Sequence, residues 1–167
     1  GSALAAVGES LAACNGKSVR FISAADAGAE ETLDLPATCV AVAADGETLV
    51  VATADGQWHL VDGESGAISK SVAGAVPFGL TITEDAIYGA AGREGLWTAP
   101  RDLSAAPTRI DGPTDARAVL AGPTGLLVAD GADGVVAHDE LDFGVAEAGA
   151  VVDEVGRLGE ALGVGIV

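Results

Sequence analysis

The sequence predicts an all-β protein built from about four copies of one four-stranded antiparallel unit. One reason is glycine content: the chain of 167 residues contains 24 glycines, and each costs roughly 1 kcal/mol relative to alanine inside a helix. Turns that need a positive φ use glycine freely. The other reason is a repeat, because residues 49–63, 88–102 and 127–141 align without a gap at a period of 39 residues. Both observations favour strands joined by tight turns.

Each aligned window reads as a β-hairpin. In the first, LVVATADGQWHLVDG, apolar residues flank an Asp-Gly pair, which is a strong hairpin signal because type I′ turns require positive φ. One period earlier, residues 10–24 carry an Asn15-Gly16 turn one position ahead of the others. The turn glycines of the three aligned windows share one column: Gly56, Gly95 and Gly134.

Apolar segments on both sides of the hairpins complete the unit. A first strand is predicted at 39–44, 78–83 and 117–121, and a fourth strand at 67–73 and 106–111. Four-stranded units of about 40 residues arranged radially form a β-propeller, which leaves only short sheet edges. The predicted units, or blades, are 1–36, 37–75, 76–114 and 115–153, with a partial unit at 154–167.

The stretch LVVATADGQWHLVDGESGAI resembles the blade repeat of quinoprotein-like and WD-type propellers, whose hairpin is followed by a D-x-x-x-G turn. Asp62 and Gly66 match that turn. Repeat and composition together also resemble haloarchaeal propeller families. The resemblance implies that the loops after second and fourth strands share one face, which commonly binds partners. The predicted binding face carries Asn15, Lys17, Asp55, Arg93, Glu94, Asp115, Arg117 and Asp133.

Two alternatives concern the architecture. Residues 24–33 and 153–163 can be written as helices of a small α+β domain, although three glycines interrupt the second segment. Strand accounting also predicts an incomplete ring, because the chain starts inside a first strand and ends as another unit begins. Such a chain would self-associate through its open edges or belong to a longer polypeptide. A closed four-bladed ring would instead require residues 162–167 to complete the first blade.

The charge limits the partners. The formal net charge is −17, from 25 acidic and 8 basic residues, so duplex nucleic acid is an unsuitable ligand. Abundant carboxylates with few lysines are typical of salt-adapted, halophilic proteins, in which salt screens the self-repulsion of an acidic surface. No apolar run is long enough to span a bilayer, and the expected location is cytoplasmic.

Other candidate sites are weaker. Asn15-Gly16-Lys17-Ser18 ends like a phosphate-binding loop but lacks the required upstream glycine. His59 and His138 lie in predicted strands without enough convergent ligands for a metal. Cys14 and Cys39 are expected to be free thiols more than about 7 Å apart between Cα atoms. Trp58 and Trp97, which share a column of the repeat, are expected to pack between blades.

No residue pattern commits the chain to a reaction, and neither a cofactor nor a metal is predicted. The leading functional expectation is a non-enzymatic binding or interaction scaffold for an unknown protein or polar ligand. The alternative is a propeller enzyme of the hydrolase, lactonase or quinoprotein-like kind, whose catalytic groups lie largely outside this chain.

Overall fold

The described part of the chain consists of strands and turns. The computed structural model describes residues 3–26, 30–63, 65–122, 125–131 and 134–138. Within them there is no helix, and so none that could cross a membrane. The strands are β1 (Leu4–Val7), β2 (Ser10–Asn15), β3 (Ser18–Ser23), β4 (Glu30–Asp34), β5 (Cys39–Asp45), β6 (Thr48–Thr53), β7 (Gln57–Asp62), β8 (Ile68–Ala73), β9 (Gly79–Ile82), β10 (Ala86–Ala90), β11 (Leu96–Pro100), β12 (Thr108–Ile110), β13 (Ala116–Gly122), β14 (Gly125–Asp130) and β15 (Gly134–His138).

The strands form four antiparallel sheets in which each strand pairs with its sequence neighbour. Three sheets have four strands, β1–β4, β5–β8 and β9–β12, and the described part of the last sheet has three, β13–β15. This arrangement confirms the all-β prediction of repeated antiparallel blades. The α+β alternative is wrong where it can be checked, because Glu30–Asp34 is a strand. Residues 153–163 lie outside the described residues.

Glycine turns connect the second and third strands, as the Asp-Gly and Asn-Gly pairs predict. Gly16 has a φ of +60° and Gly56 a φ of +79°, values that L side chains rarely adopt. After Gly16 the chain enters β3 rather than a helix. The segment Asn15-Gly16-Lys17-Ser18 is therefore a hairpin turn and not a phosphate-binding loop.

The blades stack face to face around their first strands. β5 packs against β1 and β9, and β9 packs against β13. We call the side of a blade that faces the next blade its forward face, and the opposite side its backward face. Each of the three junctions contains an aliphatic cluster, represented by Val19 and Val51 between blades 1 and 2, Val50 and Ile87 between blades 2 and 3, and Leu96 and Val128 between blades 3 and 4.

Among the described residues, Trp58 is the largest fully buried side chain. It lies in the junction of blades 2 and 3, and its indole Nε1 donates a 2.8 Å hydrogen bond to the Ala75 carbonyl. Its ring rests on Gly89, where an added Cβ would come within 2.7 Å of Cη2. Trp97 packs against the same cluster from blade 3. The prediction that both tryptophans pack between blades is confirmed.

Arg101 reinforces the same junction. Its guanidinium lies at the end of β11, and Nη1 contacts Asp45 Oδ2 of blade 2 at 2.5 Å and donates to the Thr83 carbonyl at 2.8 Å. One cation thus bridges the end of β5 and the turn before β10.

The expectation of free cysteines is wrong. Cys14 and Cys39 form a disulfide with a Cα–Cα distance of 5.4 Å. They stand at the end of β2 and the start of β5, as the repeat predicts, but stacking brings these two ends together. The Cys39 amide donates a 2.8 Å hydrogen bond to the Gly16 carbonyl. The bond therefore joins blade 1 to blade 2.

Reduction of this disulfide should destabilise the fold. Because it closes a loop of 25 residues, chain entropy alone predicts a loss of roughly 3 kcal/mol in the free energy of unfolding. Chemical denaturation with and without dithiothreitol measures the loss, and Cys14→Ser/Cys39→Ser, which lacks both thiols, should be insensitive to reductant. Alkylation of the denatured, unreduced chain should add no label. Two labelled cysteines per chain would contradict the assignment.

Candidate functional site

A surface cavity lies where blades 3 and 4 meet. Its volume is about 310 Å³. Its walls come from the residue preceding β9, the β10–β11 hairpin, the end of the connection from β12 to β13, and the start of β13. It is lined by Phe78, Ala91, Gly92, Arg93, Glu94, Asp115 and Arg117. The cavity is open to solvent and combines one aromatic ring with four charged side chains.

Phe78 forms the apolar floor. Its side chain is 65% exposed, although its amide is fixed by a 2.7 Å hydrogen bond to the Ala90 carbonyl. The ring rests on Gly92, which has a φ of +59°, and an added Cβ there would lie 2.7 Å from Phe78 Cε2. The Gly92 amide donates to the Ala116 carbonyl at 2.6 Å. A single glycine therefore positions the ring and links blade 3 to blade 4.

Arg117 and Asp115 form a two-point ion pair beside that ring. Arg117 Nη2 donates to Asp115 Oδ2 at 2.8 Å, and Nε lies 2.8 Å from Oδ1. The hydrogen bond to Asp115, with its charge, raises the pKa of Arg117. The guanidinium carbon lies 6.0 Å from the centroid of Phe78, at the limit of a cation–π contact. Phe78, Arg117 and Asp115 form one continuous surface.

Asp130 fixes the loop that carries Asp115. This buried carboxylate accepts hydrogen bonds from the amides of Thr114 at 2.8 Å and Asp115 at 3.2 Å. The Gly131 amide donates to the Asp115 carbonyl at 2.9 Å. A side chain at position 131 would collide with the Asp115 carboxylate. The backbone of residues 114 and 115 is thus held by hydrogen bonds to the Asp130 carboxylate and from the Gly131 amide.

The structure brings together four of the eight residues predicted for the binding face. Arg93 and Glu94 come from the second-to-third-strand hairpin, Asp115 from the connection between blades, and Arg117 from the start of β13. The other residues of the predicted face that the structure describes belong to blades 1 and 2 and do not line the cavity. Asn15 and Lys17 occupy the exposed β2–β3 turn, and Asp55 lies in the β6–β7 turn. Asp133 lies outside the described residues. Their roles in binding stay predictions.

Sequence reasoning missed a hydrogen-bond network inside blade 2. Thr53 Oγ1 donates to Asp55 Oδ1 at 2.6 Å and lies 3.1 Å from His59 Nε2, while His59 Nδ1 lies 2.7 Å from Ser71 Oγ. Burial lowers the pKa of His59, and the Thr53 hydrogen bond lowers the pKa of Asp55. The cross-strand register Val51–His59–Ser71 creates the network.

The Thr, Asp, His and Ser side chains of this network are residue types that also occur in nucleophilic relays. Their burial indicates a structural role instead. His59 is 3% exposed and Thr53 is fully buried. The carboxylate of the network, Asp55, is linked by hydrogen bonds to His59 only through Thr53. Each polar group that enters the sheet interior finds a partner. Elsewhere in the described residues no three His, Cys, Asp or Glu side chains are grouped to hold a metal ion.

Comparisons with known proteins support the fold but assign no function. No protein-family model and no curated protein matches the chain. Among the solved structures that superpose on it are the computationally designed Ika4 protein (TM-score 0.68, 14% identity, covering 82% of this chain and 89% of that one), the computationally designed Ika8 protein (0.71, 12%, 86% and 47%) and Kuenenia stuttgartiensis hydrazine synthase (0.64, 19%, 75% and 40%). The described blades form a β-propeller-type array.

The extent of these matches differs. This chain spans nearly all of Ika4 but less than half the length of the Ika8 and hydrazine synthase chains. At identities of 19% or less, the likeness establishes only the arrangement of the blades.

Because of the His59 network, we expect the free energy of unfolding to fall at mildly acidic pH, above the range in which carboxylates become protonated. Because folding lowers the pKa of His59 below about 6.5, the unfolded chain binds a proton that the folded chain does not. The free energy of unfolding should therefore fall as pH drops below about 6.5, by up to about 1.4 kcal/mol per pH unit. Urea titrations in 2 M KCl between pH 7 and 5 measure this slope.

His59→Gln removes the titrating group while keeping a side chain that forms hydrogen bonds. Its unfolding free energy should be lower than that of the wild type at pH 7 and nearly independent of pH in this interval. An equal slope in the wild type and the variant would assign the acid sensitivity to another group.

Proposed function

We propose that this chain is a non-enzymatic binding scaffold and that the cavity between blades 3 and 4 holds a short segment of a partner protein. The observation that carries the proposal is Phe78, an aromatic ring that is 65% exposed yet rigidly seated in a cavity of about 310 Å³. Aromatic and arginine side chains are enriched where protein partners bind. An exposed ring held in place loses little conformational freedom when a partner covers it.

The charges at the cavity define the chemistry of that segment. Asp115 already neutralises Arg117, whereas Arg93 makes no ion pair among the described residues. A partner carboxylate therefore has one available guanidinium beside the aromatic floor. The segment that fits best presents an apolar side chain to Phe78 and an Asp or Glu to Arg93.

The acidity of the whole chain works against such a partner at long range. With a net charge of −17, the surface repels acidic segments unless salt shortens the range of the field, to about 3 Å at 1 M. The contacts at Phe78 and Arg93 act within that distance. Association should accordingly be faster in high salt, which is opposite to ordinary charge-steered binding.

The location is also part of the proposal. Structural disulfides are rare in reducing cytosol, so the Cys14–Cys39 bond favours an oxidising compartment over the cytoplasm expected from the sequence. The enzymatic alternative gains no specific support from the described residues, since no residue of the relay-like network of blade 2 lines the cavity.

Substitution of Phe78 should weaken recognition strongly without unfolding the blades. The probe is a displayed library of random heptapeptides selected against the wild-type chain in 2 M KCl. Enriched sequences should place an acidic residue next to an apolar one, and their Kd should rise at least about 30-fold for Phe78→Ala, as expected of an interface residue worth about 2 kcal/mol. Fluorescence anisotropy measures the Kd.

Val76→Ala is the matched control, because Val76 is 38% exposed in the same connection but does not line the cavity. It should leave the Kd unchanged, and Arg93→Gln should weaken only peptides that contain a carboxylate. Peptides that bind the wild type and Phe78→Ala equally well would overturn the proposal.

A further inference from the structure

The first blade presents an uncovered apolar backward face. Val7, Ala12 and Phe21 point into the junction with blade 2, so strand alternation places the residues between them on the opposite side. Leu4 is 60% and Leu11 39% exposed there. On β1, β2 and β3 the face consists of Leu4, Ala6, Leu11, Ala13, Arg20 and Ile22. On β4, at the outer edge, it continues with the polar residues Glu30, Thr32 and Asp34.

The last described blade presents an uncovered apolar forward face. Val119, Leu126 and Val128 point toward blade 3, which leaves Leu120 and Val135 on the other side with 58% and 48% exposure. The described residues of this face are all aliphatic and adjoin across β13, β14 and β15: Ala118, Leu120, Leu127, Ala129, Val135 and Ala137.

The array does not close on itself within the described residues. Successive first strands pack together, but no comparable packing joins β1 to β13. In a ring of four blades those two strands would be neighbours. The high exposure of Leu4 and Leu120 agrees with an array that is open at both ends.

We infer that the two open faces bind each other between two copies of this chain, giving a two-fold symmetric ring of eight blades. Every internal junction joins a forward face to the backward face of the next blade. In a ring of two copies, the forward face of the last blade of each copy packs against the backward face of the first blade of the other. A two-fold axis relates these two junctions, so both form together. Propellers of up to eight blades are typical.

The array superposes on 47% of the longer Ika8 chain with a TM-score of 0.71, so the same arrangement of blades also occurs as part of a longer chain. The inference is independent of the proposed binding function, because no residue of the cavity belongs to the two aliphatic faces.

Charge determines when the ring forms. The charged side chains of the described parts of the two faces lie toward the outer edge of blade 1, where Arg20 pairs with Glu30 and Asp34 lies on the same face. Burial of aliphatic surface favours association, while two copies that each carry −17 charges repel one another. The association constant should therefore rise with salt.

Sedimentation equilibrium of the full 167-residue chain in 2 M KCl tests the inference. We expect a single species of twice the chain mass at micromolar concentration, with dissociation as KCl is lowered. Leu120→Glu, at a site already exposed in one copy, should raise the dissociation constant at least tenfold, and Leu4→Glu should do the same from the opposite face.

Val76→Glu adds the same charge at an exposed apolar residue outside both faces and should leave the dissociation constant near the wild-type value. Circular dichroism checks that each variant is folded. A wild type of one chain mass at every concentration would overturn the inference, assigning the cover of these faces to residues 139–167 or to further blades. So would open-ended polymers, or dimers indifferent to both leucine substitutions.

Discussion

The structure depends on one constraint: each blade is apolar on both faces, so both faces must be covered. In blade 2, Val51 and Val61 point backward while Val50 and Trp58 point forward, and all four are buried. A two-layer sandwich would cover one face of each sheet and leave the other in water. Face-to-face stacking covers both, and repetition of the same blade makes every junction alike. The small side chains and glycines of the inner strands allow the sheets to approach closely.

Stacking also creates the candidate site. Hairpin loops and interblade connections from neighbouring blades meet at each junction, so residues distant in sequence become adjacent without a dedicated domain. Between blades 3 and 4, Gly92 supports Phe78 and Asp130 holds the loop of Asp115. The ring is therefore exposed on a rigid support, which is the combination that partner recognition needs. Within the described residues, the same stacking leaves a largely apolar face at each end of the array.

The local signals predicted the fold well, because glycine turns and alternation act within one hairpin. The blade resemblance implied a common face for eight residues, and four of them, Arg93, Glu94, Asp115 and Arg117, line one cavity; their role in binding stays a prediction. The local signals could not predict properties that depend on how the blades stack or on the strand register. The closeness of Cys14 and Cys39 follows from how blades 1 and 2 meet. The repeat aligns Trp58 with Trp97, but pairing of Ala52 with Trp58 and Ala90 with Leu96 places the two tryptophans on opposite faces of their blades.

The central claim is that close contact between blade faces stabilises this protein, and Gly89 tests it most directly. An alanine Cβ at Gly89 would lie 2.7 Å from the Trp58 ring, whereas at Gly79, in the neighbouring strand of the same blade, the nearest atom would be 3.9 Å away. Urea denaturation of Gly89→Ala and Gly79→Ala measures the difference. The account predicts a loss of about 1 to 3 kcal/mol for Gly89→Ala, as for other overpacked cores, with little change for Gly79→Ala. Equal unfolding free energies for the two variants would contradict tight packing of blade 2 on blade 3.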